Sequence, residues 1–143
     1  MDEDYIKTLS TEEKIVFLKL FCVLIKSDNN IDDEEIAFLK LIARRYGINE
    51  SSIVQIISNA NLINYQAEAA KITDRNHALE LLKELCFLAN IDDNLADSEL
   101  SMIINVARIM KVEDEKLILI NRFVLDNLIL HKVGRVILEK EDE

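Results

Sequence analysis

The chain has 143 residues, half of them hydrophobic and 31% charged, with no proline and only two glycines, Gly47 and Gly134. That composition excludes collagenous, linker-like and disordered chains, suits one domain with a single apolar core, and favours long uninterrupted helices. A net charge of −10 disfavours nucleic acid and anionic membrane, and makes cations or basic protein surfaces the natural partners.

Ser10-Thr11-Glu12-Glu13 ahead of an apolar run is a capping box, so the first helix is expected from about Thr11 to Lys26, burying Ile15, Leu18, Phe21, Cys22 and Ile25. The acidic segment Asp28 to Asp33 ends it. A second helix follows from about Asp33, with Ile36, Leu39, Ile42, Ala43 and Tyr46 inward and Gly47 as its stop. Asn49 to Asn59 reads as a short third helix, and Ala60 to Ile72 as a loop with a helical turn. Thr73 or Asp74 caps a fourth helix reaching about Asn90, and a fifth runs from about Asp97 to Met110. A long sixth helix is expected from about Glu113 to Lys140, with a bend at Gly134. Its stretch Leu117 to Leu138 is the most apolar, but Arg122, Asp126, His131, Lys132 and Arg135 interrupt it about once per turn. Each charge at a bilayer centre costs roughly 2.5 kcal/mol or more, so it reads as a core helix and not as a membrane span.

The chain also matches itself. Sliding Lys14 to Glu50 over Ala78 to Asp114, an offset of 64 residues, gives ten identities in 37 positions without a gap. They include Leu18 with Leu82, Cys22 with Cys86, and Arg44 with Arg108. An internal duplication follows, with repeats over about 14–50 and 78–114 and a terminal helix over about 113–140. The expected architecture is a single all-α domain over 1–143, in which two pseudo-symmetric helical hairpins share one core beneath the third and sixth helices.

The repeat carries Asp-x-Asn-x-x-Asp-x-Glu twice, as Asp28, Asn30, Asp33 and Glu35 and as Asp92, Asn94, Asp97 and Glu99. Two readings compete. Asp28 and Asp92 stand where helices end, where a carboxylate faces the negative end of the helix dipole, and the N-terminus of the next helix can compensate through capping. Asp32 and Glu35 have capping-box spacing, whereas the second copy has Ala96 at the cap position. Alternatively, the carboxylates and Asn carbonyls supply the oxygen ligands that Ca²⁺ or Mg²⁺ takes. The loop is no EF-hand, since Asp33 stands at the turn glycine and Leu39 at the bidentate Glu position. On residues alone, capping outweighs a metal site.

This paired pattern over Thr11 to Val112 resembles the TerB family of bacterial tellurite-resistance and TerB-like domains. The resemblance implies an all-helical, two-repeat fold whose acidic residues hold a metal ion, here Asp28, Glu35, Asp92 and Glu99, and a link to tellurite and stress resistance and to membrane-associated or DNA-processing complexes. The family's usual Ala-Asp-Gly is replaced by Ser27-Asp28-Asn29 and Ile91-Asp92-Asp93. Asn and Asp tolerate the left-handed conformation that Gly would supply.

Cys22 and Cys86 fall among apolar neighbours and read as packed core thiols. His77 and His131 lack a ligand-spaced Cys or His, which argues against zinc, and His131 reads as a surface residue. Arg44 and Arg108 repeat with the motif, and a structural or solvated ion pair, for which a carboxylate of the opposite repeat is one candidate, is expected over anion binding. No phosphate loop, nucleophile elbow, Cys-His pair or HExxH is present, so a binding module is expected over an enzyme. The acidic start of the chain lacks a signal-peptide pattern, giving a cytoplasmic expectation. The alternative is a structural or protein-interaction scaffold whose acidic loops only cap helices and which needs no cofactor.

Overall fold

The computed structural model describes residues 4–26, 31–91 and 97–141. Among them every regular element is helical: α1 Thr11–Lys26, α2 Asp33–Arg45, α3 Glu50–Ser58, α4 Tyr65–Ala69, α5 Arg75–Asn90, α6 Asp97–Ile109 and α7 Asp114–Glu141, with 3-10 turns at Asp4–Thr8 and Ala60–Leu62. The expected all-α class therefore holds. Each element falls within a residue or two of its expected place, and α4 is the helical turn of the 60–72 stretch.

α1 is the hub. It packs against α2, α3, α4 and α5, while α7 lies on α5 and α6. A single inward stripe therefore understates its burial. Val16, Phe17, Leu20 and Leu24 are buried beside Leu18, Phe21 and Cys22, whereas Ile15 and Ile25 are only half-buried. A stripe assumes one neighbour, and α1 has four. Phe17 and Phe21 stack at 6.3 Å edge to face, and both meet Tyr46, at 6.3 and 6.4 Å. Lys19 of α1 reaches Glu68 of α4 at 3.2 Å, and Lys71 meets the same carboxylate, fixing the short helix to the hub.

Element boundaries recur at the offset of the sequence match. α1 and α5 have 16 residues each and α2 and α6 have 13, each second member starting 64 residues after the first. The helix ends recur too. Gly47 (φ 73°) and Lys111 (φ 62°) are left-handed, with N–H bonds to the carbonyls of Arg44 and Arg108 at 3.1 and 3.0 Å. The following N–H groups, of Ile48 and Val112, bond Ala43 and Ala107 at 2.9 Å, the two-bond arrangement of a Schellman stop.

α7 departs from expectation. It runs through Gly134 without interruption, and it is not a core helix. Leu117, Ile120 and Val124 are buried, but Ile118, Leu119, Phe123, Ile129 and Leu130 are exposed. The helix rests on α5, which ends at Asn90, so only one face of its first part is covered.

Candidate functional site

Two helix N-termini carry the described part of the acidic motif. At α2, Asp32 is the N-cap in extended conformation and its Oδ1 accepts the Glu35 N–H at 2.8 Å. The Glu35 carboxylate in turn accepts the Asp32 N–H at 3.1 Å. The reciprocal box expected from the sequence is formed, satisfying two of the donors that a helix start leaves open. Asp33 beside it is exposed.

At α6, Asp97 and Glu99 stand in the first turn. Asp97 is exposed, whereas Glu99, the counterpart of Glu35, is only 8% exposed and is the one buried charged residue among those described. A carboxylate in that setting needs hydrogen bonds or a positive charge, and the positive end of the α6 dipole contributes part of it. Asp28, Asn30, Asp92 and Asn94 lie outside the described residues. Among the described residues no group of three or more His, Cys, Asp or Glu side chains gathers at metal-binding distance.

Two polar clusters away from the motif escaped the sequence reading. Glu13 occupies N3 of α1, where one oxygen accepts the Ser10 N–H at 2.9 Å and the other lies 2.5 Å from His77 Nδ1. His77 Nε2 meets Thr8 Oγ1 at 2.9 Å, so the starts of α1 and α5 are tied together. Burial acts to raise the Glu13 pKa, but the Ser10 backbone bond and the hydrogen bond and charge of His77 outweigh it, holding the carboxyl below its ordinary value. Only the Ser10 to Glu13 box was visible in sequence; its partner lies 64 residues away.

The second cluster joins Tyr5, Tyr46 and Glu84. The two phenol oxygens lie 2.9 Å apart, and the Glu84 carboxyl group interacts with Tyr5. Burial raises the Glu84 carboxyl, with Glu80 adding repulsion, and burial beside Tyr46 and Glu84 raises the Tyr5 phenol.

Arg108 does not reach across to the opposite half. It binds Asp114 through Nε at 3.3 Å and Nη2 at 3.2 Å, because the left-handed turn at Lys111 brings the first residue of α7 back beside it. Among the described residues Arg44 makes no ion pair, and Lys40 holds Glu50, the counterpart of Asp114, at 3.1 Å. Cys22 and Cys86 are free and buried, as expected, and burial pushes each thiol up to about 12. His131 borders a groove of about 720 Å³ between α5 and α7, floored by Phe87, Phe123 and Leu128 and edged by Lys83, Lys132 and Arg135.

The family model described as tellurite resistance protein TerB matches residues 14–122. The chain belongs to the TerB family. The match spans α1 to α6 and the first part of α7, leaving the remainder of α7 beyond it. No curated protein and no solved structure matches the chain. No helix among the described residues is long and apolar enough to cross a membrane, in keeping with the charge interruptions noted along α7.

Proposed function

We propose that this TerB-family chain is a non-enzymatic binding module of the cytoplasm that takes a divalent cation, Ca²⁺ or Mg²⁺, on its paired acidic segments. Asp28, Glu35, Asp92 and Glu99 are the principal ligands, and Asn30, Asp33, Asn94 and Asp97 supply further oxygens. Its biological setting is resistance to tellurite or related stress, as the family's description indicates. The burial of Glu99 carries the reading: it sets one of the proposed ligand carboxylates at the start of α6 where little water competes with an ion for it. Recurrence of the helices at one offset supports a duplication, and with it equivalent positions for the two segments. A second reading, helix capping within a scaffold, is favoured by the Asp32–Glu35 box.

Thermal melting with added Ca²⁺ or Mg²⁺ separates them. A cation bound only by the folded state stabilises it by about 2.7 kcal/mol at a hundredfold excess over Kd, and Glu99→Gln or Asp92→Ala should abolish that rise. If neither ion moves the wild-type melting temperature, while Asp32→Ala costs about 1 kcal/mol in ion-free protein, the capping reading stands.

A further inference from the structure

The outward face of α7 carries apolar side chains from Ile118 to Leu138, Leu130 being 69% exposed. At roughly 100 Å² for each of ten such residues, the face presents on the order of 1,000 Å². The largest apolar patch of a typical monomer is about 300–600 Å². Each side of a standard protein interface contributes about 800 Å².

The pattern on that face identifies its occupant. Leu119, Arg122, Asp126, Ile129, Val133 and Val136 recur at alternating steps of three and four, the spacing of a coiled-coil seam. Ile118, Phe123, Leu125 and Leu130 flank it, all exposed. The seam contains one cation and one anion, a single turn apart, and among the described residues neither Arg122 nor Asp126 makes an ion pair. A parallel pairing of two such helices would set Arg122 against Arg122 and Asp126 against Asp126. An antiparallel pairing centred on Val124 overlaps residues 114–134 of the two helices and covers seven of the ten apolar residues, on the order of 700 Å² a side, with Val133 opposite Glu115 and Val136 to Leu138 beyond the partner helix. It sets Arg122 against Asp126 of the second copy twice over, and Leu119 against Ile129 in the adjoining layers. Both contacts obey the two-fold self-complementarity that a homodimer requires.

We infer that α7 is the dimerisation helix of this protein, pairing antiparallel with α7 of a second copy through its outward seam, with the reciprocal Arg122–Asp126 contacts setting direction and register. The two bodies then lie on opposite sides of the helix pair, because each body occupies the inward face marked by Leu117, Ile120 and Val124. A buried charged layer of this kind fixes register more than it adds stability.

Sedimentation equilibrium of the full chain tests the inference. Wild type should be dimeric at micromolar concentration, and Arg122→Asp and Asp126→Arg should each dissociate at about 100-fold higher concentration, because each faces like with like twice. Mixed in equal amounts, the two variants should restore a dimer of wild-type affinity, since every pairing between them is again of opposite charge; this outcome also establishes that both variants fold. A wild type that remains monomeric at about 100 µM overturns the inference, whether or not it floats with phosphatidylglycerol vesicles, flotation assigning the face to lipid. A dimer indifferent to either single substitution, or one that mixing fails to restore, also overturns it.

Discussion

Gly47 and Lys111 allow backbone strain to be measured almost free of packing. Both terminate helices of 13 residues in the left-handed conformation with matching hydrogen bonds, yet one is glycine and the other a β-carbon residue. A Cβ added at Gly47 would meet no heavy atom within 4 Å, so Gly47→Ala introduces conformational cost alone. Left-handed φ costs an L-residue roughly 1–2 kcal/mol. The smaller entropy of the unfolded alanine chain returns about 0.4–1 kcal/mol of it. Gly47→Ala should therefore destabilise by about 1 kcal/mol, and Lys111→Gly should stabilise by a similar amount. Unfolding entropy scales at about 2.1 cal/mol/K per residue, near 0.3 kcal/mol/K for a chain of this length, so each change amounts to about 3 °C. Calorimetry of the two single variants and of their combination is the assay, the combination returning close to wild type. A Lys111→Gly protein that melts below wild type would refute the reasoning, by showing that Lys111 contributes a contact outweighing its strain.

Burial of Glu84 predicts a pH signature. Its raised pKa means that the folded state holds the proton to higher pH than the unfolded chain; the cost of burying the charge is absent below the unfolded value and complete above the folded one. Glu84→Gln, which keeps an acceptor for Tyr5, should thus raise the melting temperature at about pH 7 and change it little at about pH 4, where an unfolded glutamate is largely protonated; the reverse order would exclude burial as the cause. Cys22 and Cys86, whose thiols burial pushes up to about 12, should react with a thiol reagent only as fast as the chain opens. Rapid labelling of the native protein at either position would contradict that packing.

Helix placement was legible because its signals are local. Ser10 with Glu13, Asp32 with Glu35, and Gly47 announce their helix ends within four residues, and the structure forms each of them. Burial was less legible. The periodicity of α1 reports one face, while its surroundings depend on α4 and α5, segments far along the chain. α7 misled in the opposite direction, since apolar content does not say whether a neighbour exists to cover it. Of the acidic motif, the sequence marked the first copy for a capping box that the structure forms, but gave no sign that Glu99 is buried where Glu35 is half-buried. The tie between Glu13 and His77 and the Tyr5–Glu84 interaction join residues whose side chains carry no mutual mark in the primary structure.

The central position of α1 also bears on how the protein is made. α1 leaves the ribosome well before α5, yet its apolar sides close only when α5 arrives, and Tyr5 waits for Glu84 some eighty residues behind it. At about 5–20 residues per second that interval is roughly 4–16 s. Through it the nascent chain presents Phe17, Leu18, Leu20 and Phe21 with at most its first-half helices to cover them. A chain that stops short of α5 therefore keeps that apolar surface exposed, the condition that makes partly folded chains prone to aggregate.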